Sequence, residues 1–435
     1  MKNDRIIKST KELSDLITWT YNHEKFSIII SDYVFKIDID ISKCIRENIE
    51  IDLTPEHIFS LSFDNCVFKG TFTFNWTVVD NVSFNKTIFE NKTFFSGAVF
   101  KGGVRFDNAV FKMDTYFDGT VFENDTTFID TVFEQNVSFI NSHIDGKIRF
   151  YRTLFKGDTN FNNSKFKDLA DFWNATFFRK TIFYKTDFWE TTVFSTTTFK
   201  ENVLFTYTLI NKLVIFRDTN FEKGLDLSLA IISGQTSIFN INLSDFKDVK
   251  DTNDVDEFEN NVSEKGVITR KNKRETFRIL KMQLMSNQNN IDALHYYSFE
   301  MRAFEKQLDQ DIFENKIYKN SIQNYFILIL NRYSNKYGTS WWTGFLFTSF
   351  MGCLFFYLSL ITTKNYVLGI PYFNLDDFEK CVKYFFMFML PIHNINYMDA
   401  EKPTFLFYVF DFFGRIFVSY GIYQTIQAFR KYKSK

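Results

Sequence analysis

The sequence predicts a mainly β fold, a solenoid of short repeats, followed by an α-helical region and two membrane-spanning helices. Three observations carry this prediction. Phenylalanine is the outlier of the composition, with 58 residues against 6 tryptophans and 4 prolines. Through the middle of the chain these phenylalanines recur at fixed spacing. Near the C-terminus, two apolar stretches are each long enough to cross a bilayer.

The first sixty residues read as an N-terminal cap, because a solenoid has open edges that invite pairing with other chains. Ser9 to Asn22 predicts an amphipathic helix. Phe26 to Ile30 and Tyr33 to Ile41 predict strands, the second alternating in Ile37, Ile39 and Ile41. Met1 to Thr20 is charged and lacks the apolar core of a signal peptide, so the N-terminal bulk is expected in the cytosol.

Residues 61–244 carry the repeat. Phe100, Phe111, Phe122, Phe133, Ile144, Phe155, Phe166, Phe177, Phe188, Phe199, Ile210 and Phe221 form one register, spaced eleven apart. Phe106, Phe117, Phe128, Phe139, Phe150, Phe161 and their successors form a second, so the steps alternate between five and six residues. Two residues before each centre stands a small or β-branched side chain, such as Ala98, Val104, Ala109, Thr115, Thr120 or Thr131. A spacing of two places both on one face of an extended segment. Asn, Asp, Lys, Gly and Thr lie between, as tight corners require. The helical spacings of three and four are missing. Stacked coils, about 4.8 Å apart, satisfy such a short unit. Phe100, Phe111, Phe122, Phe133, Phe155, Phe166, Phe177, Phe188 and Phe199 are therefore expected as an interior stack.

These residues resemble the pentapeptide-repeat family, whose unit has a large apolar centre and a small residue two before it. The resemblance spans Phe63 to Leu227. It implies a right-handed quadrilateral β-helix with one unit per side. The alternation of five and six departs from strict fives and leaves the cross-section open.

Residues 245–269 open on an acidic run, Asp245 to Glu259, and predict a linker or mobile loop. Residues 270–336 predict cytosolic helices: Arg270 to Met285, Ile291 to Gln310, and a third over about Ile312 to Tyr333. Residues 337–435 form the membrane region. Trp342 to Thr363 holds no charge, and Trp341 and Trp342 sit where an aromatic belt belongs. Phe405 to Phe429 is the second span, and it carries Asp411 and Arg415, four apart and able to pair along one helix face. Charges at that depth are costly and should face protein or water. The basic residues Arg430, Lys431, Lys433 and Lys435 place the C-terminus in the cytosol, so residues 364–404 face outward. Within them, Val382 to Leu390, ending at Pro391, His393 and Asn394, suggests a re-entrant or interfacial segment. Tyr337 to Trp341 and Gly414 to Arg430 resemble bacterial membrane proteins that join pentapeptide repeats to two C-terminal helices. The inner membrane of a bacterium is the compartment that this resemblance implies.

Composition narrows the function. Formal net charge is −1, which gives no general attraction to nucleic acid. Some pentapeptide-repeat proteins imitate DNA, which needs an acidic exterior. Residues 60–245 hold 21 acidic and 19 basic side chains, far too balanced for that role. Cys44, Cys66, Cys353 and Cys381 form no CxxC, and the five histidines have no metal-ligand spacing. No P-loop, GxSxG or dinucleotide fingerprint is present, so neither an enzyme nor a cofactor is expected. The expected role is a membrane-anchored scaffold or protein-interaction module, with a protein partner on the solenoid walls. The alternative is a subunit of an oligomeric channel or transporter, with Asp411 and Arg415 lining a polar path.

Overall fold

The computed structural model describes residues 5–9, 12–13, 20–22, 25–41, 43–44, 58–313, 319–364 and 375–430. The chain folds as two compact units, Met1–Ile279 and Leu280–Lys435.

The first unit is a four-sided β-solenoid. Val104–Arg105, Val110–Phe111, Thr115–Tyr116 and Val121–Phe122 make one coil, one strand per side. Each pairs in parallel with a strand of the next coil: Val104 with Thr126, Val110 with Val132, Thr115 with Val137, Val121 with His143. Among the described residues, four parallel ladders of eleven, eleven, nine and eight strands result, apart from one antiparallel hairpin at the N-terminal edge.

The alternation of five and six has a simple cause. Corners of two kinds alternate. Five-residue steps pass through a tight turn, closed by Ala109 N–H donating to the Phe106 carbonyl at 3.0 Å. The third residue of each such turn is left-handed, as in Asn108 (φ 60°), Gly119 (φ 64°), Asp130 (φ 55°) and Asn141 (φ 57°). Asn, Asp and Gly tolerate that backbone best. Six-residue steps pass through an open bend such as Lys101-Gly102-Gly103, which accommodates the additional residue without a positive φ. Two corners of each kind close the square.

The phenylalanines fill the interior. Phe100, Phe111, Phe122, Phe133, Phe155, Phe166, Phe177, Phe188 and Phe199 are buried, none more than 1% exposed. Rings on one side stack coil upon coil: Phe155 on Phe177 at 4.5 Å, Phe111 on Phe133 at 4.8 Å, Phe166 on Phe188 at 4.8 Å. Rings from neighbouring sides meet edge to face, as Phe106 and Phe117 do at 5.7 Å and 79°. Both geometries suit the aromatic quadrupole.

The small residue does more than leave room. In the first register its hydroxyl donates to a phenylalanine carbonyl of the preceding coil. Thr120 reaches Phe95, Thr131 reaches Phe106, Thr153 reaches Phe128, and Thr186 reaches Phe161, all within 2.8 Å. A side-chain ladder thus runs inside the backbone ladder. Thr153→Val keeps the shape and removes the donor, so stability should fall by about 1–2 kcal/mol. Thr153→Ser should recover most of it. Urea unfolding followed by far-UV circular dichroism measures both.

Two N-terminal expectations change. The helix over Ser9–Asn22 does not reach its end, because Thr20–Asn22 is a strand paired antiparallel with Lys25–Ile29. That pairing covers an edge strand. Residues 14–19 lie outside the described residues. Tyr33 to Ile41 is not one strand. It splits into Tyr33–Phe35 and Ile39–Asp40, on different walls. The corner lets Phe35 and Ile39 both point inward, where each is buried.

The acidic segment, expected as a linker or mobile loop, carries regular structure. It contains helix α1 (Val255–Asn260), whose N-terminus is capped by Asp254 accepting from Glu257 N–H at 3.0 Å. A wider turn, Asn261–Lys265, follows. This strap lies against the solenoid. Asn162, Lys180 and Asn202 donate to the carbonyls of Ser263, Glu264 and Gly266. Glu259 accepts from the Tyr184 hydroxyl at 2.6 Å and from Lys185 at 3.0 Å, which holds its carboxyl below the ordinary range.

Helix α2 (Arg270–Ser286) follows, and its first turns seal the last coils. Asn272 donates to the fully buried Asp226 carboxylate at 2.9 Å, and the Thr276 hydroxyl accepts from Leu227 N–H at 2.8 Å. Burial pushes the Asp226 carboxyl up, against its hydrogen bonds. The Lys273 ammonium, 1% exposed, sits 2.6 Å from Asp245 and 3.2 Å from Asp248.

The second unit is helical: α3 (Asn290–Phe313), α4 (Lys319–Asn335), α5 (Trp341–Leu360), α6 (Leu375–Met389) and α7 (Phe405–Arg430). Residues 314–318 and 365–374 lie outside the described residues. Glu305 on α3 accepts from Arg332 of α4 and from the Tyr337 hydroxyl, both at 2.8 Å. Helix α6 begins seven residues before the apolar stretch Val382–Leu390, with Asp376 and Asp377 in its first turn, where the helix dipole favours negative charge. The apolar stretch expected as a re-entrant or interfacial segment is thus the C-terminal part of a longer helix.

Candidate functional site

Helices α5 and α7 are long and apolar enough to cross a membrane, with mean hydropathy of 1.6 and 1.4. They pack on each other through glycine. A Cβ at Gly421 would lie 2.3 Å from the Thr348 Oγ1 and 3.0 Å from its Cβ; one at Gly344 would lie 2.6 Å from the Thr425 Oγ1. The helices touch backbone to backbone there, as small residues permit. Many of their large side chains point away: Trp342 is 54% exposed, Phe350 64%, Phe405 80% and Phe412 60%. Gly421→Leu should force the pair apart and cost about 1–3 kcal/mol as an overpacked contact. Thermal unfolding in detergent, read from the tryptophan fluorescence, measures it.

Polar groups gather where this apolar pair meets α6. Asp411 on α7 is buried, and its Oδ2 accepts from Arg415 Nε at 2.8 Å, one turn on. The spacing predicted that pair. The third member was not predicted from spacing. His393, in the segment after α6, places Nε2 2.9 Å from Asp411 Oδ1 and Nδ1 2.8 Å from the Leu390 carbonyl. Its side chain is 3% exposed. Tyr397 packs edge-on against the imidazole at 4.8 Å. Phe356, Phe388, Met398 and Phe407 form the buried apolar cluster nearby. Pro391 is half-buried beside this group. Asn394 is exposed and accepts from Asn396 N–H at 3.1 Å, closing its own turn. The re-entrant candidates therefore divide: His393 joins the cluster, and Asn394 serves the loop.

The same unit holds a cavity of about 460 Å³. Tyr297, Asn331, Asn335 and Gln424 line it. Their amides are largely engaged with one another, Asn331 Oδ1 accepting from Gln424 Nε2 at 3.2 Å.

On the solenoid, the walls satisfy their own charge. Lys112 pairs with Glu90 at 3.1 Å, Lys167 with Asp145 at 2.9 Å, and Lys180 with Asp158 at 3.3 Å, each across adjacent coils. Such exposed pairs contribute about 0–1 kcal/mol each. What they leave unmatched is aromatic. Tyr151 and Trp173 pack in a tilted pair at one corner, 5.2 Å apart, with the Arg152 guanidinium 4.4 Å from the tyrosine ring. Trp173 is 50% exposed.

The strap also left a trace in the sequence. Outward positions along the ladder Phe94, Tyr116, Ser138, Asn160 continue as Ile182 and Leu204. Both are buried although they face outward. Two apolar residues in a row on a polar wall mark a covered stretch.

Comparison with known proteins agrees with the repeat. The family model for pentapeptide repeats (9 copies) matches over residues 84–132, 95–143, 106–153 and 139–187. No curated protein matches the chain, and no solved structure does.

Proposed function

We propose, from the premise that this chain is a pentapeptide-repeat solenoid protein, that it is a membrane-anchored scaffold whose solenoid wall receives a protein partner. The observation that carries the reading is the arrangement of α5 and α7. Gly421 and Gly344 each receive a threonine of the other helix, while Trp342, Phe350, Phe405 and Phe412 are exposed. That order is the reverse of a soluble helical pair, and a bilayer is the solvent it suits. The basic tail beyond α7 puts the C-terminus, and with an even number of spans the solenoid, in the bacterial cytosol.

The docking surface in this reading is the Tyr151–Trp173 corner. Tyr, Trp and Arg are the residues that most often anchor protein interfaces, and here Trp173 is half exposed beside Tyr151 and an Arg152 held in place by Asp130. The role needs no catalytic step and no cofactor.

The experiment is photocrosslinking in native membranes, with the photoreactive residue at Trp173 and a control at the strap-covered Leu204. One dominant adduct at Trp173, absent from the control, is the expected result. A smear of abundant neighbours equal at both positions would overturn the proposal. Protease treatment of intact spheroplasts should spare the solenoid.

The buried cluster of His393, Asp411 and Arg415 favours a second reading, a subunit of a homo-oligomeric channel or transporter. Two helices cannot enclose a pore, so several copies are required. Ion flux in liposomes holding the purified protein supports this reading. Silent liposomes together with a monomer in detergent remove it.

A further inference from the structure

We propose that His393 and Asp411 together form a proton-binding site that pins the segment after α6 to helix α7. The inference rests on hydrogen-bond inventory and does not depend on the scaffold reading.

A neutral imidazole has one N–H and one lone pair. Here both ring nitrogens face oxygen. The Leu390 carbonyl can only accept, so Nδ1 must carry a hydrogen to use that 2.8 Å contact. Nε2 is then left facing Asp411 Oδ1 at 2.9 Å. A bare lone pair against a carboxylate oxygen repels. The contact becomes a hydrogen bond only when a second proton lies between them, on Nε2 as an imidazolium or on Asp411 as the acid. In either form the pair holds one proton more than a neutral histidine and a carboxylate.

The surroundings make that proton matter. Asp411 and the His393 side chain are both nearly inaccessible, and a buried polar contact left unmade is expensive. The other groups that titrate or carry charge nearby are few. Arg415 shares α7 and occupies the second carboxylate oxygen. Tyr397 comes from the loop and packs on the imidazole. Tyr384 of α6 lies 6.1 Å beyond Tyr397, with Glu401 on its far side. Helix α5 brings no charged side chain.

Loss of the second proton leaves one N–H for two acceptors. Either the Leu390 contact or the Asp411 contact then fails. Because Leu390 and His393 belong to the loop and Asp411 to α7, the second proton fastens the two together. The ligand of this site is the proton itself, taken up on the outward side of the membrane in the proposed topology.

The test reads the histidine directly. The full-length chain is placed in lipid nanodiscs with ¹³C-carbonyl isoleucine and ¹⁵N histidine. Ile392-His393 is the one Ile-His pair in the sequence, so that label pair assigns His393 without a mutation. Side-chain ¹⁵N shifts report which nitrogens are protonated, and infrared spectra report a protonated carboxyl. The expected result at neutral pH takes one of two forms. One is an imidazolium that becomes neutral in Asp411→Asn. The other is a neutral Nδ1–H ring with a carboxylic acid band that Asp411→Asn removes. A neutral ring protonated on Nε2 overturns the proposal, as does a neutral Nδ1–H ring with no acid band.

Discussion

Phe155→Ala lowers the stability of the solenoid by about 3–5 kcal/mol, the range for removing a fully buried ring. Phe155 is 0% exposed and stacks on Phe133 at 5.3 Å and on Phe177 at 4.5 Å. Its edge also meets Phe150 at 5.6 Å. The deletion therefore removes contacts to both adjacent coils and to the neighbouring wall. The parallel strands on all four sides fix the backbone, so the cavity cannot collapse. In a stacked array each coil holds only its neighbours, so a weak central coil should also split the unfolding transition. Urea melts followed by circular dichroism should show a lower midpoint and a shallower slope. Phe155→Leu, which keeps most of the volume, should lose well under half as much. An unchanged midpoint for the alanine variant would mean that this ring is not part of a load-sharing interior.

Lys273→Met is the second large effect, again about 3–5 kcal/mol. The Lys273 ammonium is shielded from water and sits between Asp245 and Asp248. It also donates to the Phe246 carbonyl and lies 5.0 Å from the Phe246 ring centroid. Methionine fills the space and removes the cation that Asp245 and Asp248 share, while Arg270 stays 3.0 Å from the buried Asp248 carboxylate. The loss concerns the C-terminal seal of the solenoid. It should appear as early exchange of amides in the last coils, with the central coils protected as before.

How much of this was legible from the residues differs from element to element. The solenoid was legible because one position class repeats more than twenty times, and a period survives local noise. The square section was not, because the alternation of five and six does not by itself tell a tight turn with a left-handed residue from an open bend. The threonine hydroxyls were read as small residues. Their hydrogen bonds span 25 positions, which no local pattern displays. The strap failed for the opposite reason. Its acidic composition argued for solvent, and its binding depends on backbone carbonyls that carry no sequence signal. Ile182 and Leu204 were the available clue. In the helical unit, Asp411 and Arg415 could be paired because they share one helix. His393 approaches from another segment, and only the tertiary structure brings it within reach.

The ladders described above also constrain how such a gene can change length. From Val82 onward, strand register, ring stacks and surface ion pairs in the solenoid link a residue to its counterpart 22 positions away, as Lys167 pairs with Asp145. Gain or loss of a multiple of 22 codons returns every residue to its own wall. A slip of eleven codons keeps the phenylalanines inside but sets each wall's charges against those of the opposite wall. Replication errors in this stretch are thus filtered in whole turns, and chain length becomes a counter that advances one coil at a time.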